Sequence, residues 1–283
     1  MRIPLCLPDA AYLRHHQFNG RPVLPAVEVM ELLAGTVAVS LPHIDTRQVQ
    51  EARFNKFLPL DVVDGFELWC ELETGEDETA VARLKSKRRG RRGVARTLAH
   101  ARMVFGSAAA PPPADRAPVA EAFSTDAIVP PSRERIYTDL VPFGPSYRNI
   151  RAITGFDERG IRVLIAAPTL PPAGTYRHLG SPFVLDAAFH AACVWGQRHT
   201  GVVPFPVGVG RRKILRPCQA GGRYGALVSV RECDPALLVF DIIIDAQEIV
   251  YEIVESVQMR DVSGGRLKPP SWILTGADSG AGA

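Results

Sequence analysis

Two short segments place a titratable side chain in strongly apolar surroundings. His16 opens the pattern H-x-x-x-G-x-x-x-x-P, which Gly20 and Pro25 complete, and Asp186 lies in the apolar segment VLDAAFH, which ends at His190. A histidine can accept a proton near neutral pH, and a carboxylic acid in an apolar pocket can donate one. Together such groups could perform general acid–base chemistry. Each also has an ordinary structural interpretation, because a histidine beside an apolar helix often packs in the core and an aspartate near a helix start often caps it.

Each segment adjoins a helical pattern. Pro25 to Leu41 reads PAVEVMELLAGTVAVSL, which is apolar almost all round and is therefore expected to be buried, with proline at the helix start. Ser181 to Gln197 reads SPFVLDAAFHAACVWGQ, and Gly201 follows as a helix-stop residue. We expect two buried helices.

Strand-like runs rich in Val and Ile surround both helices. They are Phe66–Leu72, Val94–Phe105, Ile161–Ala166, Tyr224–Arg231, Leu237–Asp245 and Ile249–Gln258. Each half of the chain thus has one buried helix among antiparallel strands. This pattern predicts an α+β fold in which a sheet wraps each helix.

An Ala/Pro-rich stretch, residues 106–131, separates the two halves. Proline removes backbone donors and favours extended chain, so this stretch is expected to be a semi-rigid linker. We predict an N-terminal unit at 1–105, the linker at 106–131 and a C-terminal unit at 132–283.

Composition indicates a cytoplasmic globular protein. The 283 residues are 46% hydrophobic and carry a formal net charge of only +3, which demands neither a nucleic acid nor a membrane partner. The five cysteines are scattered and never in C-x-x-C spacing, which argues against a disulfide framework or zinc knuckle. No apolar run reaches the roughly 18–20 residues of a membrane helix, and no signal peptide is evident. A P-loop, a G-x-G-x-x-G motif and a G-x-S-x-G elbow are all missing from the sequence, so no cofactor is expected.

Four motifs occur in one order along the chain, and together they resemble the dehydratase domains of polyketide and fatty-acid synthases. The segment 15–33, which reads HHQFNGRPVLPAVEVMELL, is similar to the first half of those dehydratase domains. LDAAFH resembles their D-x-x-x-Q/H helix, PFGPSY at 142–147 resembles G-Y-G-P-x-F, and VPFPV at 203–207 falls where the family has an L-P-F-type segment. The resemblance spans about residues 3–260.

The resemblance implies a double hotdog, two fused units that each wrap a central helix in an antiparallel sheet. It implies a hydro-lyase that converts a β-hydroxyacyl thioester, held on the phosphopantetheine arm of an acyl carrier protein, to an α,β-unsaturated thioester. His16 would then be the base and Asp186 the acid. The substrate-binding residues would be His190, Gly20, Pro25, Phe143, Gly144, Pro145, Tyr147 and Phe205. Other synthase domains and a second copy in a homodimer are implied partners.

The third and fourth motifs depart from the family pattern. Phe143 stands at the tyrosine position and Pro142 at the preceding glycine, so any hydrogen bond from that tyrosine is missing here or comes from elsewhere. Tyr147, at the last position, is not expected to substitute directly. Val207 stands where an aromatic residue is common, which predicts a differently shaped acyl pocket.

Two basic clusters could contact an acidic carrier protein. The run 85–92 (KSKRRGRR) is interpreted first as a solvated hairpin tip, and Arg211 to Lys213 is the second cluster. Opposite charge at such a surface would mainly raise the association rate.

Other functions of the same fold remain open at this point. One is a non-catalytic hotdog domain that binds the acyl carrier. The change at Phe143 keeps this function open, whereas the retention of His16 and Asp186 argues against it. Another is a product-template-like aldol cyclase, and a third is double-bond isomerisation after dehydration.

Overall fold

The computed structural model describes residues 1–7, 9–61, 66–75, 78–89, 95–106, 129–170 and 177–276. The strands in these ranges are β1 (Arg2–Leu5), β2 (Gln17–Phe18), β3 (Arg21–Pro22), β4 (Gln48–Phe54), β5 (Glu67–Thr74), β6 (Ala80–Arg89), β7 (Ala95–Phe105), β8 (Ile150–Asp157), β9 (Gly160–Ala166), β10 (Phe205–Ile214), β11 (Arg223–Asp234), β12 (Leu237–Ala246) and β13 (Ile249–Arg260).

Four α-helices accompany the strands in the described ranges. They are α1 (Ala26–Ser40), α2 (Arg133–Arg135), α3 (Pro182–Thr200) and α4 (Ser271–Thr275). Short 3₁₀ turns at Ala11–His15 and Pro145–Tyr147 and a π turn at Ile136–Leu140 complete the helical segments. None of these helices is long and apolar enough to cross a membrane.

The helix α1 begins where proline ends the preceding extended chain. The Pro25 carbonyl accepts hydrogen bonds from the N–H groups of Glu28 and Val29, both at 3.0 Å. Most of the helix is buried, including two glutamates, which confirms the helix predicted over Pro25 to Leu41.

The helix α3 is more completely enclosed. Every residue from Pro182 to Gln197 is buried, and the helix ends at Gly201, whose φ of +69° is the left-handed conformation that glycine adopts most readily. The helix predicted over Ser181 to Gln197 is confirmed and extends three residues further.

One antiparallel sheet wraps both helices, with strand order β1-β5-β6-β7-β4-β10-β13-β12-β11-β9-β8. Strands of the first half lie on one side and strands of the second half on the other. The pairing of β4 with β10, for example Arg53 with Gly208, joins them. The helix α1 contacts β5, β6 and β7, whereas α3 contacts β8 to β12, and the two helices touch each other. The predicted α+β architecture is confirmed.

The six predicted strands are all present, but β1, β2, β3, β4, β8 and β10 were not predicted. The strand β10 reads FPVGVGRRKI, in which proline, two glycines and three cations are typical of a loop. The segment is extended because β4 pairs with one of its edges and β13 with the other. The predicted unit boundaries stay predictions, since most of the linker 106–131 lies outside the described residues.

Candidate active site

A tight hairpin positions His16. The two-residue loop between β2 and β3 is Asn19–Gly20, and both residues have positive φ, +50° and +73°. A type I′ turn needs this conformation at both central positions, and Asn-Gly is its preferred sequence. The hairpin returns the chain so that the Val23 N–H donates to the His16 carbonyl at 3.0 Å. The glycine four residues after the histidine is therefore explained by the turn.

The start of α1 faces the same region. Ala26 lines the cavity, and the N–H groups of Ala26 and Val27 precede the first helical hydrogen bond. The positive end of the helix dipole therefore lies near the cavity. Pro25 sets the helix start and is not one of the cavity-lining residues.

Asp186 and His190 lie one turn apart on the same face of α3. Each residue is only 4% exposed, and Asp186 Oδ2 lies 3.0 Å from His190 Nε2. The two atoms are close but not aligned as a hydrogen bond. Asp186 Oδ2 and both ring nitrogens of His190 have no hydrogen-bond partner among the described residues. Buried polar atoms are usually paired, so this cluster of unpaired ones marks a place where a polar ligand would fit.

Phe143 packs against both imidazoles. Its ring stacks on His16 at a centroid distance of 4.2 Å and an interplanar angle of 21°, and its centroid lies 5.0 Å from that of His190. Phe143 therefore presents an apolar surface to both histidines.

The backbone around Phe143 is fixed against the turn before His16. The Gly144 N–H donates to the His15 carbonyl at 2.8 Å, and a Cβ at Gly144 would lie 2.7 Å from the Cβ of His15. Only glycine permits this approach. His15 Nδ1 is 2.9 Å from Ser146 Oγ, so His15 links these two segments, as expected for a structural residue.

One cavity of about 600 Å³ collects most of the predicted residues. His16, Gly20, Phe143, Asp186, His190 and Phe205 all line it. Residues from both halves of the chain, more than 150 positions apart, thus meet at one site. Gly144, Pro145 and Tyr147 are not among the lining residues, so their predicted contact with substrate has no support from the geometry.

Tyr147 lies behind His16. It is 1% exposed, its ring meets the His16 ring edge-on at a centroid distance of 5.2 Å, and burial raises the pKa of its hydroxyl. Its hydroxyl has no hydrogen-bond partner among the described residues. The tyrosine therefore does not replace the hydroxyl that is missing at Phe143, in agreement with the expectation from sequence.

The surroundings of His16 keep its imidazole neutral. Burial lowers the pKa of His16 to about 4, while the Asp186 carboxylate and the Val23 backbone oppose that shift and His190 adds to it. At neutral pH the ring is free to accept a proton.

An aromatic cluster forms another part of the cavity wall. Phe205 packs edge-on against Phe18 at a centroid distance of 5.3 Å and against Phe57 at 6.1 Å. Val207 also lines the cavity, at the position where the family commonly has an aromatic residue. The wall is apolar here, as an acyl chain requires.

Three cavity-lining residues of α3 were not predicted. Phe189, Cys193 and Gln197 follow Asp186 at helical spacing along one face. The signal was present in the sequence, because positions i+3, i+7 and i+11 share a face with an aspartate at position i. By helix rise this face spans about 16 Å from Asp186 to Gln197.

Both arginines of the second predicted basic cluster are paired with carboxylates, so the cluster offers less free positive charge than its sequence indicates. Arg212 is buried and bonded to Glu252 at 2.7 Å, and Arg211 pairs with Glu255 at 2.5 Å. In the first cluster Lys85 pairs with Glu71 at 2.6 Å. The strands β6 and β7 pair as the predicted hairpin, but residues 90–94 at its tip lie outside the described residues.

Two other lysines line the cavity. Lys56 follows β4 and Lys268 follows β13, and both are exposed. Within the described ranges, no group of three or more His, Cys, Asp or Glu side chains could hold a metal ion.

Comparison with known proteins identifies the fold. A family model described as the polyketide synthase dehydratase N-terminal domain matches residues 110–269. The dehydratase domain of RzxB from Pseudomonas fluorescens is 15% identical with a TM-score of 0.71, over 92% of this chain and 94% of that chain. The dehydratase domain of PpsC from Mycobacterium tuberculosis, in complex with C12:1-CoA, is 19% identical with a TM-score of 0.66, over 92% of each chain. A trans-AT polyketide synthase dehydratase domain from Brevibacillus brevis is 17% identical with a TM-score of 0.69, over 93% of this chain and 94% of that chain.

No curated protein sequence matches the chain. At these low identities the structural likeness establishes the double-hotdog fold, as the sequence predicted.

Proposed function

The chain belongs to the polyketide synthase dehydratase family, and from that premise we propose that it removes water from a β-hydroxyacyl thioester, with His16 as base and Asp186 as acid. The observation that carries this proposal is the meeting of a neutral imidazole and a buried carboxyl group in one largely apolar cavity.

The proposed reaction needs two proton transfers. His16 takes the proton from the α-carbon, the electron pair forms the α,β double bond, and the C–O bond at the β-carbon breaks. Protonated Asp186 gives its proton to the departing hydroxyl, which leaves as water. His16 ends protonated and Asp186 ionised, so a proton returns from the imidazolium to the carboxylate before the next turnover.

Two further features support this chemistry. The start of α1 at Ala26 directs the positive end of the helix toward the cavity, where it would stabilise enolate-like charge on the thioester oxygen. His190, 3.0 Å from the Asp186 carboxylate, would orient that group.

The proposed substrate is delivered on the phosphopantetheine arm of an acyl carrier protein. Lys56 and Lys268 support this proposal, because both are positively charged and both line the cavity. Their charge would attract the phosphate of the arm and an acidic carrier protein. The PpsC structure holds an acyl-CoA, C12:1-CoA. Fatty-acid substrates, a homodimer and a cytoplasmic location stay predictions.

Phe143 is the observation that favours a second candidate, a non-catalytic domain that binds the carrier. Its ring brings no hydroxyl next to His16. The proposed reaction does not require that hydroxyl, because acid and base are both present in the cavity.

Intact mass spectrometry tests the proposal. Wild-type protein is incubated with a 3-hydroxyacyl thioester on a carrier protein and, separately, on a short pantetheine mimic. Loss of the mass of one water molecule, with a product that adds a thiol across its new double bond, supports dehydration. Carrier binding without any loss of mass on a range of such thioesters would favour the non-catalytic domain.

A further inference from the structure

A buried polar cluster behind the cavity ties together the elements that carry His16 and Asp186. It consists of Tyr12, Glu28 and Arg177, here called the Glu28 cluster. The Tyr12 hydroxyl donates to Glu28 Oε1 at 2.9 Å and accepts from Arg177 Nη2 at 2.6 Å, while Arg177 Nη1 donates to Glu28 Oε2 at 2.7 Å.

Each member belongs to a different element of the site. Tyr12 lies in the 3₁₀ turn that ends immediately before His16, and Glu28 lies in the first turn of α1. Arg177 lies in the chain that enters α3, the helix of Asp186. The three residues thus join both halves of the molecule across 149 and 165 positions of sequence.

A second contact from α1 strengthens the same junction. Glu31, one turn after Glu28, accepts the backbone N–H of His178 at 2.6 Å and that of Leu179 at 2.9 Å. The chain that leads into α3 is therefore held twice by carboxylates of α1.

The members of the Glu28 cluster lie outside the lining of the proposed substrate cavity. None of Tyr12, Glu28, Glu31 and Arg177 lines the cavity. Glu28 is 2% exposed and Tyr12 7% exposed, so the hydrogen bonds are largely shielded from water. A buried ion pair is weak evidence for stability, because desolvation offsets much of the attraction, but it can fix one arrangement among several.

We propose that the Glu28 cluster is a positioning device that sets the spacing of His16 and Asp186 across the cavity. The inference rests on the proposed function only for its effect on turnover. Its geometric part, that the cluster holds the His16 ring in place, stands without it.

The chain offers a matched control. Arg212 and Glu252 form another buried ion pair, at 2.7 and 3.1 Å, with both side chains 3% exposed. That pair joins β10 to β13 and contacts α1 at Met30. Within the described ranges, the hydrogen bonds of this pair reach neither the turn before His16 nor the chain that enters α3.

The test compares Glu28→Gln and Tyr12→Phe with Glu252→Gln. Tyr12→Phe keeps the ring that packs on Phe183 and removes only the hydroxyl, so it decides the question if Glu28→Gln does not fold. Turnover of a 3-hydroxyacyl thioester is measured together with the NMR signal of the His16 ring, which a His16→Gln spectrum identifies. The stack on Phe143 makes that signal sensitive to small displacements.

We expect kcat to fall on the order of 10- to 100-fold in the two cluster variants, with KM within about two-fold, because a small misplacement of reacting groups has this effect. The His16 signal should shift in both, whereas Glu252→Gln should change neither readout. An unmoved His16 signal in a folded cluster variant, or an equal shift in Glu252→Gln, would overturn the proposal. If wild type shows no turnover, the proposed function fails, and the His16 signal alone still decides the positioning role.

Discussion

The imidazole of His16 lies flat on the ring of Phe143, with centroids 4.2 Å apart. Phe143 also approaches His190, one helical turn from Asp186, with centroids 5.0 Å apart. One apolar ring thus contacts both the proposed base and the helical turn that carries the proposed acid. This arrangement supplies the low-polarity surroundings that keep the His16 imidazole neutral.

Replacing Phe143 with leucine should raise the pKa of His16. The substitution opens the stack to water and weakens the burial that lowers this pKa to about 4. Because the base acts unprotonated, the acid limb of the kcat/KM profile should move to higher pH. Phe189→Leu is the control, since Phe189 lines the same cavity on α3. An acid limb that stays in place in Phe143→Leu, or moves equally in the control, would contradict the account.

The buried histidine should also make folding stability depend on pH. Its folded pKa, about 4, lies below the ordinary value of 6.5, so the unfolded chain binds the proton first as pH falls. Neutral His16 therefore contributes to the free energy of unfolding above pH 6.5, and this contribution is lost as the pH falls from 6.5 to about 4. Urea unfolding at several pH values should show a steeper loss in wild type than in His16→Gln. Parallel curves would mean that His16 titrates normally.

Replacing the Asp186 carboxyl group with an amide should lower activity without lowering stability. Asp186→Asn keeps the size of the side chain but cannot donate the acid proton, so kcat should fall on the order of 10²- to 10⁴-fold. The melting temperature should not fall, because the amide has the size of the carboxyl group and Asp186 Oδ2 has no hydrogen-bond partner among the described residues for the substitution to remove. A large drop in melting temperature would indicate a structural role for Asp186 instead.

Reversing the charge of the cavity-lining lysines should affect only carrier-borne substrate. Lys56→Glu and Lys268→Glu are expected to raise KM about ten-fold for a carrier-bound thioester, as loss of electrostatic steering predicts. KM for a short pantetheine thioester without phosphate should not change. Arg216→Glu, an exposed cation away from the cavity, serves as the control. Equal effects on both substrates would place the lysines in acyl binding rather than carrier recognition.

Local patterns in the sequence predicted both long helices and singled out His16 and Asp186, which the fold brings to one cavity. They could do so because apolar periodicity and the fixed spacing of His16, Gly20 and Pro25 are local properties. The Asn19–Gly20 turn gives that spacing its physical cause. Even the unpredicted lining residues of α3 follow from helical spacing after Asp186.

Pairings distant in the chain could not be predicted in this way. The strand β10 looked like a loop because its extended form depends on β4 and β13. The basic stretch that includes Arg212 looked like a surface patch because Glu252 lies 40 residues further on. The Glu28 cluster likewise depends on a contact between Glu28 and Arg177, which only the folded chain brings together.

The most direct test of the central claim is the loss of water from a carrier-bound 3-hydroxyacyl thioester, followed by intact mass for wild type, His16→Ala and Asp186→Asn side by side. The account predicts that wild type loses one water molecule and that neither variant does so at a comparable rate. A wild type that dehydrates the substrate while either variant retains its full rate would contradict the assignment of His16 as base and Asp186 as acid.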